Sequence, residues 1–334
     1  MLVPILFESH DVAEVENRPG NQSVSQDGGI RRSETAFKPM TQERYSRRAL
    51  DTTSRIALRN ILFATDLSPA AEKALPYAIE MSHRYSATLH AVHVFGPPVY
   101  PYVPAAAWPK MAEDDEAFRR EAKSDLDHKL SPVPHEVIFQ TGKVWETISG
   151  IISKKQIDLL VLGTRGRTGI EKALMGSVAE EIFHQSECPV LTVGPHVTVK
   201  SRNVAQLSRI LYATDFSSES LAAAPYAVSL AREHRAQLIL LNCIEDAGDV
   251  QSTLHSLREL VPFGTDLRCE PICVAERGPH GEKIMEIAEG HSADMIVLGV
   301  NTSDRLLTKK PHFQRSALYK IVTQATCPVL TVRA

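Results

Sequence analysis

Two stretches of the chain decide the fold: NILFATDLSPAAEKALPYAIEMSHRYSATLHAVHV, from Asn60 to Val94, and RILYATDFSSESLAAAPYAVSLAREHRAQLILLNC, from Arg209 to Cys243. They align without a gap and share about a third of their residues, the mark of an internal repeat. The ends repeat too, as SVAEEIFHQSECPVLTV from Ser177 and SALYKIVTQATCPVLTV from Ser316, so the second copy is shorter in its middle. The period far exceeds a solenoid unit, which makes this a duplicated domain. Within copy one, Asn60–Ala64 reads as a short strand. Ser68 followed by Pro69 is a helix start, and Ala71, Ala74, Leu75, Ala78 and Ile79 carry the helical spacing onward. Leu89–Phe95 is a second strand, the prolines of PPVYPYVP mark a loop, and Met111–Leu130 is a charged amphipathic helix. Glu136–Gln140 is a third strand and Val144–Lys154 a third helix. DLLVLG from Asp158 is a continuous apolar strand of the kind covered on both faces. Ser177–His184 is a fourth helix, and PVLTV from Pro189 a fifth strand. Strands alternating with helices in this way predict a parallel, doubly wound α/β sheet.

The 334 residues fit two such domains. The predicted boundaries are a tail at 1–56, domains at 57–194 and 208–334, and a linker at 195–207. The tail holds NRPGNQSVSQDGGIRRSETAFKPMTQERYSRR, which lacks an apolar period and cannot offset its ordering entropy by burial. It reads as mobile and solvated, with a docking arm through Arg31, Arg32, Arg47 and Arg48 as the functional alternative. Met40 is an alternative start. A net charge of −3 leaves no bulk polycation for nucleic acid or anionic lipid, and 6% aromatic residues do not make a stacking platform. No apolar run approaches membrane-spanning length. The opening MLVPILF meets Glu8, Asp11 and Glu14 at once and does not read as a secretory signal. Five thinly spread cysteines do not make a disulfide framework. The expected compartment is the cytoplasm, with neither nucleic acid nor membrane as partner.

The most informative loop is LGTRGRTGIEKALMGS, from Leu162 to Ser177, between a buried strand and a helix. In open parallel sheets, ligands bind beyond the carboxyl ends of the strands. Gly163, Gly166 and Gly176 let backbone N–H groups approach an anion, and Gly176-Ser177 opens a helix at the positive end of its dipole. Arg165, Arg167 and Lys172 add positive charge. Neither a Walker A sequence nor a dinucleotide fingerprint is present. On the residues alone, a phosphate cradle and an ordinary connection, with Ser177 and Glu180 forming a capping box, both stay open.

Ala64-Thr65-Asp66 after strand one, DLLVLGTRG, the G-x2-G-x9-G-[ST] spacing and the closing CPVLTV together resemble the universal stress protein family, over about Asn60 to Ala334. The resemblance implies two tandem doubly wound α/β domains, each a five-stranded parallel sheet of order 3-2-1-4-5 with helices on both faces. It also implies the family's ATP-binding branch, with ATP and Mg2+. Carried over, the ribose-and-phosphate aspartate falls on Asp66, which can also hold the magnesium ion. The base faces Ala64 and the backbone at Val94. The phosphates meet Gly163, Gly166, Gly176, Ser177 and Val178, and Thr65, Leu162 and Arg165 complete the set. The plain alternative for Asp66 is a cap for the following helix, a task for which Ser68 is already present. Copy two keeps Ala213, Thr214 and Asp215, but Thr302 and Arg315 replace the later glycines and Pro311 is inserted. It is therefore expected not to bind ATP in the same way and to serve as a structural partner, with an unusual ligand held by Lys309, Lys310 and Arg315 as the alternative. Pairing of the two PVLTV strands within one chain is implied, with a homodimer of chains as a further level. Hydrolysis is expected to be slow, because no residue stands out as positioning water. The rival readings are a slow ATPase or phosphotransferase, a nucleotide-free scaffold, and a cAMP binder.

Elsewhere, His90 and His93 fall on opposite faces of a regular strand. Neither HExxH, CxxC nor GxSxG occurs, so neither a zinc site nor a catalytic triad is expected. Trp145 and Cys188, Cys269, Cys273 and Cys327 read as packing residues.

Overall fold

The first strand of each copy is short and apolar on both sides because each lies at the centre of its half of one continuous sheet. The computed structural model describes residues 55–96, 108–164, 175–198, 207–244, 249–300 and 317–333. Nearly all of the predicted tail, most of the linker, the PPVYPYVP loop, Arg165, Gly166 and the loop before Ser316 lie outside these ranges. Copy one contributes β1 (Asn60–Ala64), α1 (Pro69–Glu72), α2 (Leu75–Tyr85), β2 (Thr88–Phe95), α3 (Trp108–Leu130), β3 (His135–Thr141), α4 (Val144–Lys155), β4 (Leu159–Gly163), α5 (Ser177–Gln185) and β5 (Val190–Val193). Copy two contributes β6 (Arg209–Ala213), α6 (Ser218–Leu221), α7 (Ala224–Glu233), β7 (Gln237–Ile244), α8 (Val250–Glu259), β8 (Ile272–Arg277), α9 (His280–Gly290), β9 (Met295–Val300), α10 (Ala317–Gln324) and β10 (Val329–Arg333).

The strands form one sheet in the order β3-β2-β1-β4-β5-β10-β9-β6-β7-β8. Each half reads 3-2-1-4-5 outward from its own strands and is parallel throughout. The halves meet at β5 and β10, which run antiparallel with Leu191 opposite Leu330. Helices cover both faces. Ile61 and Phe63 of β1 point into one apolar layer with Tyr77 and Met81 of α2, while Leu62 points into the other with Ile148 and Ile182. Both layers run unbroken across the seam. Leu191, Leu330, Leu230 and Met295 share a core with Leu58 and Met81, so neither copy closes its hydrophobic core alone.

The helix after β1 differs from the simplest reading of its apolar spacing. It is broken into α1 and α2, and the same break separates α6 from α7. Pro76 and Pro225 explain it: proline donates no backbone hydrogen bond and its ring clashes with the preceding turn, so a new helix starts with Pro in its first turn. Ser68 and Ser217 cap the short first pieces by accepting from the amides of Ala71 and Ser220. Among the described residues no helix is long and apolar enough to cross a membrane.

Polar contacts reinforce the seam. Thr192 Oγ1 donates to Val329 O at 3.1 Å, and Arg333 Nη2 donates to Phe183 O at 2.7 Å. Arg55 pairs with Glu233 at 2.7 Å, and Glu80 of α2 meets His234 at the end of α7 at 3.4 Å. His184 is buried beside this seam, and burial, with the Arg333 charge adding to it, pulls its imidazole down to about 4.

Two outcomes are expected. Leu330→Ala removes a side chain shared by both halves, so denaturant unfolding should show a loss of about 2–5 kcal/mol in a single transition of the whole sheet. The native state holds His184 neutral while the unfolded chain protonates near the ordinary value. Stability is therefore full above about 6.5 and falls as the pH drops toward 4. Thermal melts across that window should show the fall, and His184→Gln should flatten it.

Candidate functional site

At the end of β1, Thr65 and Asp66 are held by the backbone around them. Thr65 N donates to Val92 O at 3.0 Å, and Thr65 Oγ1 accepts from Leu67 N at 3.0 Å. Asp66 Oδ1 accepts from Ser68 N at 3.0 Å. These bonds hold Leu67 in the left-handed region, at φ 63°, a conformation that costs a bulky residue about 1–3 kcal/mol. Part of the capping role considered for Asp66 is thus real: one carboxylate oxygen orders the turn while Ser68 caps α1. The same bond fixes the carboxylate at the carboxyl edge of the sheet. His93 Nδ1 donates to Thr65 O at 2.8 Å and braces the turn from β2.

The other expected residues gather along this edge. Ala64 pairs with Val92 on one side and Leu162 on the other. Val94 sits on β2 opposite Gln140, half-buried against the second apolar layer. Leu162 and Gly163 end β4, beside Thr192 and Val193. Arg165 and Gly166 lie outside the described residues. The helical bonds of α5 begin with Glu180 N to Gly176 O at 2.9 Å. The amides of Ser177, Val178 and Ala179 therefore belong to the open first turn. The Gly176 amide itself is used, donating to Thr164 O at 2.8 Å. Gly176 is the N-cap of α5, without a side-chain cap, which makes Ser177 the first residue inside the helix. Val178 is exposed and Glu180 lies in the same turn, where burial pushes its carboxyl above the usual range.

The two nearest glycines differ in why they are glycine. A Cβ on Gly163 would sit 3.1 Å from Ala71 Cα and 3.3 Å from Ala70 O, so the residue lets α1 lie against β4. A Cβ on Gly176 would find Thr164 O at an ordinary 3.7 Å, and its φ of −68° suits any residue. Sequence reasoning passed over Thr164. It is fully buried where β4 leaves the sheet, and its Oγ1 has no partner among the described residues. A buried hydroxyl without a partner costs free energy and calls for an explanation. A Gly-Thr pair ending an apolar strand at the glycine loop was the available signal.

Copy two repeats the strand-end turn. Asp215 Oδ1 accepts from Ser217 N at 2.9 Å, Thr214 Oγ1 accepts from Phe216 N at 3.0 Å, and Phe216 has φ 61°. Asn242 Nδ2 replaces His93, donating to Thr214 O at 2.8 Å. Burial pushes the Asp215 carboxyl up, but the hydrogen bonds from Ser217 and Ser220 outweigh it and hold it below the usual range. Val300 follows Gly299 where Thr164 follows Gly163. A Cβ on Gly299 would collide with Glu219 O and Ser220 Cα, so α6 lies closer to β9 than α1 does to β4. A cleft of about 360 Å3 nevertheless opens between the ends of β6, β7 and β9 and helices α9 and α10.

Of the other residues singled out in the sequence, Trp145 packs against the second apolar layer. Cys188 and Cys327 are free thiols in partly and fully buried positions, but Cys269 is exposed. It lies just outside β8, where it bonds Gln237 Oε1 at 2.8 Å, so it is not the packing residue expected.

The model of the universal stress protein family matches residues 57–194 and 207–260. A universal stress protein of Methanocaldococcus jannaschii is 30% identical over 141 residues, covering 40% of this chain and 81% of the relative. Universal stress protein A homolog 1 of Coxiella burnetii is 32% identical over 138 residues, covering 40% of this chain and 95% of the relative. The crystal structure of a universal stress protein from Archaeoglobus fulgidus superposes with a TM-score of 0.64 at 23% identity. It spans 82% of this chain and 98% of its own, and shows the same fold.

The steric difference between the glycines is measurable. Gly299→Ala should cost about 1–3 kcal/mol in chemical denaturation, Gly163→Ala less, and Gly176→Ala about 1 kcal/mol at most.

Proposed function

Because this chain belongs to the universal stress protein family, we propose that its first copy is a site for ATP, with Mg2+, and that the protein is a nucleotide-dependent stress-response module. One observation carries this reading. The anchored Asp66 carboxylate, the buried Thr164 hydroxyl and the open first turn of α5 lie along one carboxyl edge. Each suits a different part of the nucleotide. Ala64 and Val94 offer an apolar seat for the base. Asp66 accepts from ribose hydroxyls or holds the metal ion. Gly163 brings the β4 backbone close, and the amides of Ser177 and Val178 point positive dipole toward phosphate, with Gly176 opening the helix. Leu162 and Thr65 set the two strand ends. Arg165 and Gly166, which follow Thr164 in the sequence, are proposed for the same set. ATP supplies polyanionic charge here, and the chain's part is to bind and orient it.

In this reading the second copy is not an equivalent ATP site. It is the pairing partner that completes the sheet through β5 and β10, a dimer-like arrangement within one chain, and two chains can pair further. Bound nucleotide then shifts the population of a surface that partners read.

The test is calorimetric titration of ATP, ADP, AMP and cAMP with magnesium. Wild-type protein should bind ATP. Gly176→Arg, at a position whose backbone accepts a side chain, should abolish binding without unfolding the protein. Asp66→Ala should weaken binding about tenfold or more. Preference for cAMP would change the ligand, rapid turnover would favour an ATPase, and the absence of binding would leave a scaffold.

A further inference from the structure

The seam joins two faces that the duplication made alike, and its strands still are. Val190–Val193 and Val329–Val332 both read Val-Leu-Thr-Val, and Tyr77 and Tyr226 are the same residue at equivalent places in α2 and α7. Edge strands of identical sequence do not distinguish a first copy from a second, so they would pair like with like just as well. Any discrimination has to come from positions at which the copies differ.

Two such positions meet across the seam. In the gap-free alignment Ser229 stands at the position of Glu80, and His234 at the position of Tyr85. The structure sets Glu80 Oε1 3.4 Å from His234 Nδ1, and buries the Tyr85 hydroxyl beside Ser229. These are one contact, made twice by unlike residues. The first pair is charged and secluded: the His234 side chain is 1% exposed and that of Glu80 13%. Burial pushes the Glu80 carboxyl up, but hydrogen bonds from His234 and Arg84 outweigh it and hold it below the usual range. The second pair is neutral. Burial pushes the Tyr85 phenol up to about 12, and Ser229 Oγ accepts from Ile56 N at 3.3 Å. A third position inverts its charge. Glu233 stands where the first copy has Arg84, and takes Arg55 Nη2 at 2.7 Å.

We propose that these pairs make the seam selective for unlike copies: the face of a first copy accepts a second copy and rejects another first copy. First against first would set Glu80 against Tyr85 on both sides, leaving two secluded carboxylates without an imidazole, and would set Arg55 against Arg84. Second against second would set His234 against Ser229 twice and leave the imidazoles without a carboxylate. Losing the partner of a buried polar or charged group costs more than the contact itself supplies. An assembly built through this seam therefore sets each first copy against a second one, within a chain or between chains. It does not join two first-copy sites in one ten-stranded sheet. This selectivity is independent of nucleotide binding and stands if that reading fails.

The experiment is urea unfolding of the full-length protein followed by far-ultraviolet circular dichroism. His234→Tyr recreates within one chain the contact of first against first, and Glu80→Ser the contact of second against second. Each should lower the urea midpoint by roughly 0.5–1 M. The double variant Glu80→Ser, His234→Tyr places a Ser–Tyr pair on both sides of the seam. It should unfold above both single variants, because its tyrosine again meets the partner that Tyr85 has. Single variants with the wild-type midpoint, or a double variant no more stable than the weaker single one, would each overturn the proposal.

Discussion

Everything in this structure depends on the antiparallel contact between β5 and β10. Each half has a complete strand order of its own, yet each ends in an apolar edge strand that would otherwise be open to aggregation. Joining the two edges with Leu191 opposite Leu330 removes both liabilities at once and makes the core continuous. The consequence for function is geometric. Antiparallel edges place the carboxyl edge of one half and that of the other at opposite ends of the sheet, so the two strand-end regions cannot merge into one site. Each is free to diverge, provided that the seam holds.

The divergence itself is local. Both copies keep the Thr-Asp turn with a bulky residue at positive φ, braced from the neighbouring strand by His93 in one and Asn242 in the other. What differs is the second half of each site. Copy one has Thr164 and the Gly176 helix start, and copy two has Val300 and a crowded Gly299. A gene duplication that leaves the folding turn intact and alters only the surroundings of the cleft can change a ligand without a new fold. The family supplies the scaffold, and function resides in the site grafted on it.

Much of the fold could be read from the chain because it is written twice. The β1 and β6 stretches agree in their apolar run, cap and turn, and the continuous LLVLG and MIVLG strands could only be central. The split of the first helix was available in Pro76 and Pro225, but apolar spacing alone runs through it. At the site, Asp66, Gly163 and Gly176 were visible as chemistry, whereas their individual reasons were not. That Gly163 is a packing glycine and Gly176 a helix cap depends on how closely α1 and Thr164 approach, which is tertiary information. The Thr164 hydroxyl is polar by sequence and buried only by the fold. The unlike pairs at the seam were hidden for the same reason: Glu80, Tyr85, Ser229 and His234 are ordinary helix residues until the pairing of β5 with β10 brings them together.

The central claim is that, of the two copies in one chain, the first alone takes ATP. Native mass spectrometry of the full chain with increasing Mg-ATP tests it most directly, because it counts ligands. The account predicts saturation at one ATP per chain. Saturation at two per chain, or the absence of any bound ATP, would contradict it.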